Sequence, residues 1–178
     1  MTIRIGTRGS DLALAQALAV QRDLEAMGEG TELVIVKTTG DLDLSQSFAD
    51  LGPAGVFAVE LRVALLSDEV DIAVHSAKDL PSQSPEGLVI AAAPERVAPH
   101  DRLLIRADHH APEQAGLPLA EGARLGTAAA RRTALAKSVR PDLDIQTLRG
   151  NVPTRIKKLR DGEHDAILLA AAGLDRLA

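Results

Sequence analysis

Arginine side chains recur in three turns of the chain where a predicted strand leads into a predicted helix. These turns are TRGS at residues 7–10, GTAAARR at residues 126–132 and RGNVPTR at residues 149–155. Backbone N–H groups at a helix start attract negative charge, and a guanidinium group binds a carboxylate through two parallel hydrogen bonds. The three turns therefore predict a small ligand that carries several negative charges.

One acidic side chain accompanies these cations. The segment VHSAKDLP at residues 74–81 ends a fourth predicted strand and contains Lys78 and Asp79. A carboxylate at such a site can exchange protons with a substrate and stabilise a positive charge that forms during a reaction. Asp79 is therefore the catalytic candidate. From SAKD alone, a helix cap or a salt bridge to Lys78 is the more common role for such an aspartate.

The elements that must position these residues alternate between strands and helices. Short apolar runs predict strands at residues 3–6, 32–37, 70–75, 88–93, 103–106, 144–148 and 166–171, and one that ends at Gly126. The predicted helices are one that Ser10 or Asp11 caps, one at residues 57–66, one from about Ala128 and one that ends before Gly162. This alternation predicts an α/β fold, in which ligands bind outside the carboxyl ends of parallel strands. Solvated surface arginines are the alternative explanation of the same pattern.

The chain divides most naturally into two domains. Residues 94–101 are polar and rich in proline, which favours a boundary near Arg96. We predict a first domain at residues 1–96, which contains Asp79, and a second, incomplete domain at residues 97–178, which contains the arginine-rich turns at residues 126–132 and 149–155. Residues 38–55 begin as a loop and lack clear periodicity, which favours a mobile or ligand-covering segment.

Composition excludes several classes of function. The net charge is −5, and no basic face or aromatic ladder is evident, which argues against nucleic-acid binding. No apolar run approaches the roughly 20 residues that cross a bilayer, and the first residues lack a signal-peptide pattern, so we expect a cytoplasmic protein without a membrane partner. We predict no metal site, because His75 is a lone histidine at a strand end and favours a hydrogen-bonded structural role. His109 and His110 fall in a polar loop, where solvent contact is expected.

Seven segments of the chain closely resemble the signature series of the hydroxymethylbilane synthase family, also called porphobilinogen deaminase. They are IGTRGSDLALAQ, TTGD, VELRVALL, VDIAVHSAKDLP, RRTAL, RPDLDIQTLRGNVPTR and DGEHDAILLAAAGLDRL. The resemblance covers essentially the whole chain. It implies a two-lobed fold like the type II periplasmic binding proteins, with a ligand cleft between the lobes, a transferase of tetrapyrrole (haem) biosynthesis, and a covalently held dipyrromethane cofactor.

The chemistry implied by this resemblance joins four porphobilinogen molecules head to tail into hydroxymethylbilane, with release of ammonia. Each pyrrole carries an acetate and a propionate, which suits arginine. By matching motif positions, the resemblance assigns the catalytic role to Asp79. It assigns cofactor and substrate carboxylates to a set of polar residues, namely Arg8, Ser10, Lys78, Thr127, Arg131, Arg132, Arg149 and Arg155.

The chain departs from the family pattern at several positions. Ala54 stands where the family usually has a lysine, and Ala128 and Ala129 stand where it usually has serines, so one cation and two hydroxyl groups are missing. The family continues into a third domain, whose cysteine anchors the cofactor. This chain contains no cysteine, so covalent attachment by the family's route is impossible within it. We therefore expect no turnover by this chain alone.

Three explanations of the whole pattern remain open at this point. The leading hypothesis is the amino-terminal catalytic portion of a hydroxymethylbilane synthase, acting as a monomer on porphobilinogen, in a chain that is a fragment or half of a split enzyme. The second is a non-catalytic module that binds a polycarboxylate. The third is a degenerate paralogue, which the three alanine substitutions would favour.

Overall fold

The computed structural model describes residues 1–37, 59–81 and 83–178. The described chain forms two compact units, whose main bodies are Met1–Arg96 and Val97–Arg176. The predicted loop at residues 38–55, with Ala54, lies outside the described residues, as does Phe57 at the start of a predicted helix.

The first unit is built on a three-stranded parallel sheet. Its elements are β1 (Thr2–Thr7), α1 (Asp11–Ala26), β2 (Gly30–Ile35), α2 (Val59–Leu66) and β3 (Ile72–Ala73), and the strand order is β2-β1-β3. Ile5 of β1 and Leu61 of α2 are fully buried in its core. Because β1 is the central strand, the turn that follows it lies at the middle of the sheet's carboxyl edge.

The second unit is built on a four-stranded mixed sheet. Its elements are β4 (Asp101–Ile105), β5 (Arg124–Gly126), α3 (Ala130–Val139), β6 (Asp144–Gln146), α4 (Val152–Arg160), β7 (Ala166–Ala170) and α5 (Ala171–Asp175). The strand order is β4-β7-β5-β6, and β4 alone runs antiparallel to its neighbour.

Alternate residues of β7 belong to two apolar clusters. Ala166 shares one cluster with Leu125 and with Ala136 of α3, whereas Ile167 shares the other with Leu148 and with Leu159 of α4. Successive side chains of a strand point to opposite faces, so α3 and α4 cover the two sides of the sheet. This arrangement brings the turns before both helices to the carboxyl edge.

The structure confirms the predicted α/β class, but it corrects two of the predicted strands. The run at residues 70–75 contributes only Ile72–Ala73, and the run at residues 88–93 forms no strand within the described part of the chain. Val89 and Ile90 are 85% and 68% exposed. An apolar run becomes a strand only where another backbone pairs with it, and a sequence pattern does not reveal that partner.

Each unit contains the same arginine–aspartate arrangement. Arg4 in the sequence RIGT and Arg124 in RLGT each bind an aspartate, Asp71 or Asp165, that directly precedes a neighbouring parallel strand. In both cases one carboxylate oxygen accepts from the arginine's backbone N–H (2.8 and 2.9 Å) and from its Nε (3.0 Å in both). The other oxygen accepts from a terminal guanidinium nitrogen. These contacts lower the pKa of both aspartates to about 2.

The glycine of each RxGT sequence allows this close strand packing. A Cβ on Gly6 would lie 3.0 Å from Val70, and a Cβ on Gly126 would lie 3.1 Å from His164. Both neighbours immediately precede the paired aspartates in sequence. The repeated contacts are at the amino ends of β3 and β7, so in each unit they fix the register that determines which residues emerge at the opposite, carboxyl edge.

Candidate functional site

The turn after β1 presents Arg8 and Ser10 at the carboxyl edge of the first unit. Buried Thr7 orders this turn, because its hydroxyl group is 3.3 and 3.2 Å from the carbonyl oxygens of Arg8 and Ala13. Ser10 is the N-cap of α1, as predicted, and its Oγ accepts from the backbone N–H of Ala13 at 3.4 Å. The cap uses the hydroxyl oxygen as an acceptor, so the Ser10 hydroxyl proton takes no part in it.

The turn after β3 holds Lys78 and Asp79. Ala77–Asp79 forms one turn of 3-10 helix, closed by the Asp79 N–H donating to the carbonyl oxygen of Ser76 at 2.9 Å. The Ser76 hydroxyl donates to Oε1 of Gln16 at 3.1 Å, which ties this turn to α1. Sequence reasoning missed Gln16, since nothing in the pattern of α1 distinguishes it from a surface residue.

Asp79 has neither of the structural roles that its sequence context favoured. Within the described part of the chain its carboxylate caps no helix and forms no ion pair with Lys78, whose side chain is exposed. Asp79 itself is half-buried. A half-buried carboxylate that has no structural partner within residues 1–37, 59–81 and 83–178 is consistent with a chemical role.

His75 shares the electrostatic environment of Asp79 and Arg8. Burial lowers the pKa of His75, the negative charge of Asp79 opposes that change, and the positive charge of Arg8 adds to it. The structure thus brings these three side chains together. The hydrogen-bonded role predicted for His75 is absent among the described residues.

In the second unit, the turn after β5 contains Thr127. This residue is buried, its N–H donates to the carbonyl oxygen of Gln146 at 2.9 Å, and its Oγ1 accepts from the N–H of Ala129 at 3.2 Å. Ala129 is the N-cap of α3 and provides no side-chain cap. Ala128 and Ala129 therefore leave this helix start without the hydroxyl groups that serines would provide.

Arg132 of α3 forms an ion pair that the sequence did not predict. Its Nε and a terminal nitrogen donate to the two carboxylate oxygens of Asp101 at 2.8 and 2.5 Å. Asp101 is the first residue of β4 and is in register with Ala170, the last residue of β7. Because β4 is antiparallel, its start lies at the carboxyl edge of the parallel strands. Arg131, one position earlier on α3, is exposed and has no hydrogen-bond or ion-pair partner among the described residues.

The turn between β6 and α4 carries Arg149 and leads to Arg155. Asn151 caps α4 by accepting from the backbone N–H of Thr154 at 2.9 Å, and Nε of Arg155 donates to the carbonyl oxygen of Gly150 at 2.7 Å. Gly150 has a φ of 106°, which favours glycine. This turn holds the Arg155 guanidinium in a fixed orientation.

Arg155 is a partly buried cation without an acidic partner in the described part of the chain. Burial lowers its pKa, and the positive charge of Arg132 lowers it further. No carboxylate within the described ranges forms an ion pair with Arg155. A desolvated guanidinium beside a second cation is electrostatically unfavourable, and an anion bound there would relieve both effects.

The structure corrects the role predicted for one further histidine. His109 was expected to contact solvent, but its Nε2 lies 3.3 Å from Oδ1 of buried Asp165, because the 3-10 turn Ala107–His109 directs it there. His110 is exposed, as expected.

Within the ranges that the structure covers, no three His, Asp or Glu side chains are grouped to hold a metal ion. Every helix in the described ranges is too short or too polar to span a lipid bilayer.

A solved structure shares this architecture. The periplasmic VFT2 domain of Bordetella pertussis BvgS matches 96% of this chain and 66% of its own chain, with a TM-score of 0.51 and 17% sequence identity. At this identity the similarity concerns the fold alone. The shared fold agrees with the predicted architecture, which is like that of the type II periplasmic binding proteins.

Sequence relatives define the family. The protein-family model described as "Porphobilinogen deaminase, dipyromethane cofactor binding domain" matches residues 3–178. Porphobilinogen deaminases of Syntrophobacter fumaroxidans and Geobacter metallireducens are each 48% identical over 177 residues, which is 98% of this chain and 56% and 54% of theirs. A probable porphobilinogen deaminase of Hyperthermus butylicus is 45% identical over 99% of this chain and 58% of its own. The chain thus spans about half the length of these relatives. It belongs to the porphobilinogen deaminase family, as its signature segments predicted.

Proposed function

We propose that this chain provides the cofactor- and substrate-binding portion of a hydroxymethylbilane synthase, a transferase that condenses porphobilinogen head to tail with release of ammonia. The observation that carries this proposal is Arg155, a half-buried guanidinium close to Arg132 and without an acidic partner among the described residues. Family membership supports this enzymatic role over a non-catalytic binding module.

The donor groups of the second unit fit a ligand with several carboxylates. Arginine is the side chain best suited to two-point carboxylate binding, and the pyrroles of dipyrromethane carry acetate and propionate groups. We assign Arg131, Arg132, Arg149, Arg155 and Thr127 to hold these groups. When bound, dipyrromethane supplies the pyrrole to which new units are joined.

The first unit provides the acid and additional cations. We assign Asp79 to stabilise the positive charge left on a pyrrole methylene carbon when ammonia departs, and to exchange protons with the pyrrole nitrogen. The half-burial of Asp79 and its closeness to His75 and Arg8 support this role. Arg8, Ser10 and Lys78 bind substrate carboxylates in the same proposal.

Residues 1–96 therefore act as the acid-bearing domain, and residues 97–178 act as the arginine-bearing domain. The proposal describes a cytoplasmic monomer with porphobilinogen as its small-molecule partner. The net charge of −5 supports the exclusion of nucleic acid from its partners.

Calorimetric titration of porphobilinogen into the 178-residue chain tests the binding function. Loss of a two-point charged contact costs about 1.5–3 kcal/mol, which corresponds to roughly 10- to 150-fold in affinity. We expect Arg155→Gln to weaken binding within that range. Arg160→Gln, which neutralises an exposed arginine on the same helix, is the matched control and should bind like the wild type. Equal affinities for the two variants, or no saturable binding by the wild type, would contradict the proposal.

A further inference from the structure

We propose that Asp101 is an internal competitor for Arg132, a carboxylate that occupies the guanidinium group until a carboxylate of the ligand displaces it. Asp101 then sets the affinity of the second unit for ligands with more than one carboxylate. This inference rests on the proposed function, because it concerns the same arginine-rich edge.

The geometry of the pair is the geometry expected for a bound ligand carboxylate. Nε and a terminal nitrogen of Arg132 approach the two oxygens of Asp101 at 2.8 and 2.5 Å, in the two-point mode by which arginine recognises carboxylates. The other terminal nitrogen lies 3.4 Å from the carbonyl oxygen of Leu168. A ligand carboxylate that binds Nε and this terminal nitrogen of Arg132 must therefore displace Asp101.

Asp101 differs from the aspartates that stabilise the fold. The carboxylates of Asp71, Asp142 and Asp165 each accept a backbone N–H as well as an arginine side chain. Within the described part of the chain, the carboxylate of Asp101 accepts only from Arg132. Asp101 is also 39% exposed, against 5% for Asp165. Exposed ion pairs are weak, so displacement of the Asp101 carboxylate costs little, because water solvates it.

The neighbouring arginine explains why the number of ligand carboxylates matters. Arg155 lies close enough to Arg132 for its pKa to respond to that charge, and it has no carboxylate partner among the described residues. A first ligand carboxylate can bind Arg155 without competition. A second one that binds the adjacent Arg132 must displace Asp101. The Asp101 carboxylate therefore weakens the binding of a dicarboxylate more than that of a monocarboxylate.

Substitution of Asp101 by asparagine tests this role, because asparagine keeps the side-chain shape and removes the charge. Removing an exposed competing ion pair should tighten porphobilinogen binding about two- to fivefold by calorimetry. Acetate, followed by NMR titration, should gain less than porphobilinogen. The matched control is Asp175→Asn, which removes the same charge from an exposed pair with Arg102, the next residue of β4.

The possible results separate this inference from the function on which it rests. Tighter porphobilinogen binding by Asp101→Asn alone supports the inference. Unchanged or weaker binding by Asp101→Asn overturns it, and equal tightening by both variants overturns it as well, because that result would reflect net charge. Absence of saturable binding in the wild type and in both variants would refute the proposed function and the inference together. Thermal melts of the wild type and of both variants show whether each protein is folded at the temperature of the titration.

Discussion

Asp165 offers the clearest test of how the second unit is stabilised. Its side chain is 5% exposed and accepts hydrogen bonds from the Arg124 backbone N–H at 2.9 Å, from Arg124 Nε at 3.0 Å and from a terminal nitrogen at 2.6 Å. Nε2 of His109 lies a further 3.3 Å away. We expect the variant Asp165→Asn to be substantially less stable than the wild type.

The magnitude follows from the contacts that asparagine cannot make. Its remaining oxygen can still accept from the Arg124 backbone, but its amide group faces the terminal guanidinium donor and loses a charge-assisted hydrogen bond, and the bond to Nε loses its charge. Such bonds contribute about 1.5–3 kcal/mol each, and part of this is recovered because water reaches the Arg124 side chain, which is 39% exposed. We therefore expect the free energy of unfolding to fall by about 2–3 kcal/mol.

Urea denaturation followed by circular dichroism measures this change. Asp71→Asn removes the equivalent carboxylate of the first unit, where it is 27% exposed, and Asp108→Asn removes a surface carboxylate that is 58% exposed. The expected order of destabilisation is Asp165→Asn, then Asp71→Asn, then Asp108→Asn. If Asp165→Asn were no more destabilising than Asp108→Asn, the argument from burial and backbone contacts would be wrong.

The pH dependence gives an independent check with a defined sign. Arg124 lowers the pKa of Asp165 from its ordinary value of 3.8 to about 2 in the folded protein. A carboxylate with a lowered folded pKa contributes stability that is fully present above about pH 4 and is lost as the pH falls toward 2. The stability difference between the wild type and Asp165→Asn should therefore shrink over this interval. A constant difference would contradict the assigned cause of the pKa shift.

Two further predictions concern the last residue of β5 and the N-cap of α3. Ala129→Ser should stabilise the protein by about 0.5–2 kcal/mol in thermal melts, because the N-cap of α3 has an extended backbone and no side-chain hydrogen bond; an unchanged melting temperature would show that the helix start is already satisfied. Gly126→Ala should destabilise it by about 1–3 kcal/mol in urea denaturation, because the new Cβ would lie 3.1 Å from both His164 and Ile167; a neutral result would mean that these side chains can move apart.

Features that depend on neighbouring residues in the chain could be predicted from the sequence. The serine that caps α1 acts within three residues of itself, and the arginines of the turns lie beside the strands that place them. Apolar runs at residues 3–6 and 166–171 correspond closely to β1 and β7, because their own side chains fill the core. The family was also recognisable from sequence, since its segments are contiguous.

Features that depend on distant residues required the tertiary structure. Residues 88–93 have the composition of a strand, yet no backbone among the described residues pairs with them. Asp101 was not predicted as a site residue, because its meeting with Arg132 depends on β4 running antiparallel beside β7. The packing of the whole sheet sets which strands pair. It also sets the distance between Asp101 and Arg132, which are 31 residues apart in sequence. The sequence by itself determined which charged groups and helix starts the protein has, and the tertiary structure decided which of the described charges are paired within the protein, because that pairing depends on how distant strands and helices pack.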